Sequence, residues 1–249
     1  MDNGKSWSTS YSLGNNSSWR LWGNGPGTVY GVGVCLTCLA HSDGFMWMQT
    51  RQPFIGKSDV WGSSDHDVYA TGGGLVHTDG ATDWLNWGMS ADPVNNFVSV
   101  GISGTGPDDI YVVGEIGTIF HGTNGGTTWN RQVSNVSVNL RDVWVDSLRN
   151  AYVVGDSGTL LRSGDQGATW QALSIGVDQR LTGVWGSAPN DVYVIGDGGT
   201  IFHSTDQGMN WTREPVPPGV DHLNAIWGSA AGDIFVVGDV VLHKVHAGI

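Results

Sequence analysis

Residues 184–211 read VWGSAPNDVYVIGDGGTIFHSTDQGMNW, and near-copies of this stretch recur from end to end of the 249-residue chain. An apolar segment ends in Trp185-Gly186. A turn at Ala188-Pro189-Asn190-Asp191 leads into the alternating run Val192-Tyr193-Val194-Ile195. A second turn at Gly196-Asp197-Gly198-Gly199 leads to Thr200-Ile201-Phe202-His203, and a third, Ser204 to Gly208, delivers Asn210-Trp211. Short alternating runs bounded by Gly, Asn, Asp and Ser are strands, so the unit is three strands and the start of a fourth.

Working outward, Trp22, Trp61, Trp144, Trp185 and Trp227 head five copies. Ile102, within Val100-Gly101-Ile102-Ser103, is expected to head a sixth from which the tryptophan is lost, which spaces the heads by 39, 41, 42, 41 and 42 residues. The second strand of each copy carries Tyr30, Tyr69, Tyr111, Tyr152, Tyr193 or Phe235, followed three residues later by Gly33, Gly72, Gly114, Gly155, Gly196 or Gly238. A repeat of about forty residues with four short strands is one blade of a β-propeller, since a single blade cannot bury both its faces. The expectation is an all-β, six-bladed β-propeller of four-stranded antiparallel blades, one domain over residues 1–249. Its repeats fall at about 18–55, 56–96, 97–138, 139–179, 180–221 and 222–249 plus 1–17. The last copy stops after Val241-Leu242-His243-Lys244-Val245, while Asp2 to Trp7 repeats the spacing of Asp206 to Trp211. The N-terminal strand is therefore expected to close the last blade and cover its edge.

Composition narrows the partners. The chain holds 39 glycines and 13 tryptophans, only three lysines and two glutamates, and a net charge of −12. Such a charge argues against nucleic acid and anionic membrane surfaces, which need a basic footprint. No apolar run reaches membrane-spanning length. Met1-Asp2-Asn3-Gly4 has no signal-peptide character, yet a surface rich in Ser, Thr, Asn and Trp suggests a secreted or cell-surface protein. A monomer is the default.

The third turn carries a family resemblance. Ser163, Asp165, Gly167 and Trp170, and again Ser204, Asp206, Gly208 and Trp211, resemble the Asp-box S-x-D-x-G-x-x-W of sialidase-type propellers, the BNR repeats. Gly122 to Trp129 is a weakened copy, and Ser42 to Trp47 and Thr78 to Trp84 are shortened ones. The resemblance implies the propeller fold, and it is nearest to non-catalytic bacterial repeat propellers. It does not carry an activity, because sialidases, xyloglucanases, photosystem II assembly factors and many binding proteins share the turn. The sialidase catalytic set is not matched: no Phe-Arg-Ile-Pro occurs, and Tyr11 is the only tyrosine outside the repeat. The box residues are expected to be structural, their side chains bonding backbone N–H groups within the turn.

Candidate functional residues are those on the channel-mouth face. After the second strand, four copies carry an acid: Glu115, Asp156, Asp197 and Asp239. Arg51, Arg141, Arg180 and His222 lie in the connections between copies, and the longest connection holds Trp87, Asn95 and Asn96. An indole beside amides suits a sugar ring, and arginines suit carboxylate or sulfate. His77, His121, His203 and His243 share one register in four different copies, so they do not converge on one metal ion and are expected to pack within blades. Cys35 and Cys38 flank a tight turn, either as a disulfide or as two thiols. The expected function is a non-catalytic binding module without cofactor, for a glycan or a protein surface, with the site at the channel mouth. The alternatives are a glycoside hydrolase or lyase acting there and a structural module of a larger surface protein.

Overall fold

The computed structural model describes residues 19–23, 29–33, 39–42, 47–49, 57–72, 74–79, 85–86 and 98–245. They form antiparallel sheets whose strands follow one another in chain order. The first holds β1 (Trp19–Gly23), β2 (Val29–Gly33), β3 (Leu39–Ser42) and β4 (Trp47–Gln49). The second holds β5 (Lys57–Ser64), β6 (Asp67–Gly72), β7 (Val76–Thr78) and β8 (Leu85–Asn86). The third holds β9 (Ser99–Gly106), β10 (Asp109–Gly114), β11 (Ile119–Thr123) and β12 (Thr128–Gln132). The fourth holds β13 (Leu140–Val145), β14 (Ala151–Gly155), β15 (Leu160–Ser163) and β16 (Gln171–Leu173), and the fifth β17 (Leu181–Ala188), β18 (Asp191–Gly196), β19 (Thr200–Ser204) and β20 (Thr212–Arg213). The last has three strands, β21 (Leu223–Ala230), β22 (Asp233–Gly238) and β23 (Val241–Val245).

The expectation of six four-stranded blades is thus corrected to five complete blades. The remaining sheet lacks a fourth strand among the described residues, and its faces are poorly covered: Trp227 is 57% exposed and Val241 70%. Residues 1–18, expected to close it, lie outside the described residues, as do Cys35 and Cys38.

Blades pack through a knob and a hole. An added Cβ on Gly62 would stand 2.8 Å from the Trp22 indole, on Gly104 2.9 Å from Trp61, on Gly186 2.5 Å from Trp144 and on Gly228 2.5 Å from Trp185. Each tryptophan therefore fills the space that the next blade leaves by having glycine there. Register corrects one assignment. Trp144 lies opposite Tyr152 and Trp185 opposite Tyr193, but the residue opposite Tyr111 is Ser103, not Ile102. Ser103 has no indole to offer, and the equivalent position in the following blade is Val145 instead of glycine, buried within the core between blades three and four.

The repeated histidines also find partners. His77 Nε2 bonds Asp67 at 2.8 Å, His121 bonds Asp109 at 2.9 Å, His203 bonds Asp191 at 2.7 Å and His243 bonds Asp233 at 2.8 Å. The rings of His121, His203 and His243 stack on Tyr111, Tyr193 and Phe235, and that of His77 lies tilted on Tyr69, at centroid separations of 4.0–4.4 Å. In blade four the set is recast as Asp146, Asn150 and Arg162: Asn150 Nδ2 donates to Asp146 at 2.7 Å, and Asn150 Oδ1 accepts from Arg162 at 3.1 Å. Polar satisfaction survives because the charges change together.

Candidate functional site at the channel mouth

The first strand of each sheet lies innermost, and its N-terminal end shares a face with the end of the second strand. The glycine closing the second strand allows a close approach there: an added Cβ on Gly155, Gly196 or Gly238 would fall within 1.9–2.5 Å of the carbonyl of Asn139, Arg180 or His222. The next residue's N–H then donates to that same carbonyl, from Asp156, Asp197 and Asp239 at 2.9 Å each. This ties each of these three aspartates to the connection carrying the neighbouring base.

As a result, the two sets of candidates are brought together. Arg141 grips Asp156 with Nε and Nη2, both at 2.8 Å. Arg180 reaches Asp197 at 3.1 Å, and His222 Nδ1 bonds the same carboxylate at 3.1 Å. Asp239 accepts the backbone N–H groups of His222 at 2.8 Å and Asp221 at 3.1 Å. Glu115 acts on Arg141 through its charge. The hydrogen bonds from Arg141 hold Asp156 below the usual carboxylate range. Desolvation pushes Asp197 up, but His222 and Arg180 outweigh it, so its pKa is lowered. The bond to Asp197 raises His222. Around this rim acid and base alternate.

Inside the rim is a cavity of about 480 Å³ with Arg20, Arg141, Arg180, Thr182 and Asn224 among its lining residues. Arg141 and Arg180 each turn Nε and Nη2 to an aspartate, which fixes the guanidinium plane; Nη1 of each has no partner among the described residues. Arg20, from β1, acts electrostatically on two carboxylates from other blades, Asp59 and Asp142. Asp59 accepts the N–H of Val60 and, across the blade boundary, of Ile102, both at 3.0 Å. Asp142 does the same with Val143 at 2.9 Å and Val184 at 3.0 Å. Both aspartates are half-buried. Burial, with Asp59 adding to it, pushes Asp142 up to about 7 in spite of Arg20.

Arg141, Arg180, Glu115, Asp156, Asp197 and Asp239 all fall on this face. Trp87, Asn95, Asn96 and Arg51 lie outside the described residues. Arg20, Asp59 and Asp142 escaped the sequence reading, although Arg20 and the two aspartates share a position two residues before the head tryptophan. Among the described residues no three His, Cys, Asp or Glu side chains gather to hold a metal ion. The Asp-boxes sit at the opposite end of the strands. Ser163 Oγ accepts the Gly167 N–H at 2.8 Å and Asp165 accepts that of Thr169 at 2.9 Å, and the turn presses against Tyr111 of the preceding blade.

Comparison with known proteins adds to this geometry. The model of the family described as photosynthesis system II assembly factor YCF48 matches residues 54–164 and 132–221, more than half of the chain. No curated protein matches the chain in sequence. Among solved structures it is similar to YCF48 bound to D1 peptide, at 16% identity and a TM-score of 0.75, covering 96% of this chain and 81% of that one. It is similar to YCF48 from Cyanidioschyzon merolae at 17% identity and a TM-score of 0.58, covering 94% and 97%. Virginiamycin B lyase from Staphylococcus aureus, at 13% identity, a TM-score of 0.73 and coverage of 95% and 87%, shares the fold. At such identities the likeness is one of architecture. The family match overturns the expectation of a secreted or cell-surface protein, because the family's description concerns assembly of a photosystem, and it lends carbohydrate binding no support. Four tryptophans, Trp22, Trp61, Trp144 and Trp185, are the knobs between blades.

Proposed function

Because the chain belongs to the family of the photosynthesis system II assembly factor YCF48, it is a propeller-borne interaction module, and we propose that it recognises a protein segment by drawing a carboxylate into the arginine-lined mouth. One observation carries this reading. Arg20, Arg141 and Arg180, three of only eleven basic residues in a chain of net charge −12, line a single cavity of about 480 Å³. Arginine suits the task because its planar fork matches a carboxylate with two parallel hydrogen bonds. The Asp156 and Asp197 pairings support it further: they hold two guanidiniums in place before a ligand arrives, which lowers the ordering cost of binding. A solved relative carrying a D1 peptide supports a peptide as the class of ligand.

The test uses a fluorescein-labelled Gly/Ser octapeptide ending in Ala, made with a free C-terminal carboxylate and as the amide. Fluorescence anisotropy is expected to give at least about tenfold tighter binding of the acid, the worth of one charge-assisted hydrogen bond. Arg180→Gln should abolish that preference with the melting temperature kept. Equal binding of acid and amide by the unaltered protein would refute the proposal.

A further inference from the structure

On the same face, toward the rim of blade three, a second recess of about 380 Å³ is lined by Ile116, Arg131, Val133 and Val136 among others. Ile116 is 69% exposed and Val133 75% exposed. Ile116 also has φ of +53°, a left-handed conformation that a β-branched residue rarely adopts. The matching turn positions in the next two blades are Ser157 with φ of +56° and Gly198 with φ of +68°. The position matching Val133 is Ser174 in blade four and Pro215 in blade five. Blade three thus carries two branched apolar side chains where blade four carries two serines. Burial accounts for neither, and Ile116 is held against its backbone preference, as residues often are where proteins meet ligands.

The recess is braced by hydrogen bonds and tied to the connection that carries Arg141 of the mouth. Ser134, itself buried, donates to the Gly117 carbonyl at 2.6 Å, and Gly117 N–H donates to Val138 at 2.7 Å. An added Cβ on Gly117 would stand 2.0 Å from the Val136 carbonyl, so the turn lies flat on the loop after β12. Ile116 N–H donates to Asn139 Oδ1 at 3.3 Å, and Asn139 stands two residues before Arg141 in the mouth. Arg131 and Arg141 flank the recess and the mouth with positive charge in an acidic chain, which complements one segment carrying an acid at its end and an apolar side chain further back.

We propose that the Ile116–Val133 recess is a specificity subsite that takes one apolar side chain of the same extended peptide whose terminal carboxylate enters the arginine mouth. The inference rests on the carboxylate reading, and the two are separable. Leucine is placed singly at each of positions two to seven before the C-terminus of the Gly/Ser octapeptide acid, and each peptide is titrated by anisotropy. One register, or two registers of the same strand parity, should bind about tenfold more tightly than the leucine-free acid, as expected for burying part of one leucine side chain. In the Ile116→Ser/Val133→Ser variant that gain should vanish, the leucine-free acid should bind as before, and the melting temperature should hold or rise. Ile116→Gly, which copies blade five, should lose most of the gain. A leucine gain that persists in the double variant, or carboxylate-dependent binding with no register favoured, would overturn this inference while leaving the mouth intact. Absence of carboxylate dependence would remove both.

Discussion

Ser103 and Val145 offer a direct test of how adjacent blades lock. At four boundaries a tryptophan from one blade occupies space left by a glycine in the next, and at the boundary between blades three and four both partners are changed. Replacing Ser103 by Trp alone drives an indole into Val145 and should cost about 1–3 kcal/mol through overpacking. Replacing Val145 by Gly alone empties a site that is 6% exposed and loosens a strand, costing about 2–4 kcal/mol. If the sites were independent the double variant would be the worst of the three. The knob and hole predict instead a favourable coupling of about 2 kcal/mol or more, of the size seen for residues in contact. In thermal unfolding the double variant should then melt well above the temperature expected from adding the two losses, at roughly 2–4 °C per kcal/mol for a chain of this size. Simple additivity would refute the claim that Val145 stands where the neighbouring glycines stand.

Two further expectations concern charge. Burial works to raise Asp109, but the bonds from His121 and Thr105 hold it below its ordinary value. Its stabilisation is therefore present above the unfolded-state pKa and is lost as pH falls through the folded one; Asp109→Asn should destabilise by about 2–4 kcal/mol at pH 7, with the gap in melting temperature closing toward pH 3. At the mouth the sign is reversed. Asp142, pushed up to about 7, becomes charged as pH rises through that value and sets a negative charge against Arg20 and an incoming carboxylate. Binding of the octapeptide acid should weaken from pH 5.5 to pH 8.5, and a flat profile would show that Asp142 does not face the ligand.

The fold was legible because packing repeats: the tyrosine and the glycine three residues later recur in step with the strands, whatever else varies. Counting the repeats was less secure. Five copies present four strands, while the sixth presents three among the described residues, and sequence spacing does not reveal whether a strand from elsewhere pairs. Ile102 was misplaced by one residue because an apolar side chain was sought where the structure has Ser103. The compensating signal was visible one position later, where Val145 breaks a column of glycines. The aspartate bonded to each histidine was missed for a similar reason. Asp67, Asp109, Asp191 and Asp233 repeat as faithfully as the histidines, yet their pairing requires knowing that adjacent strands place positions ten and twelve residues apart side by side.

The mouth shows the limit of sorting residues by charge. The acids and the arginines look like two rings serving different ligands when only the sequence is in hand, because nothing in their spacing says that the end of a second strand abuts the start of a first. The propeller supplies that adjacency, and most of the charge is cancelled within the rim. What remains for a ligand is orientation: two clamped guanidiniums whose Nη1 groups have no partner among the described residues, and Arg20 acting on two half-buried aspartates, of which Asp142 is pushed up to about 7. Departures from the repeat mark recognition only when the fold does not account for them. Ser103 departs and is answered by Val145, and Arg162 departs and is answered by Asp146 and Asn150, so both belong to packing. Ile116 and Val133 depart and are answered by nothing within the described residues, and that leaves them facing a partner.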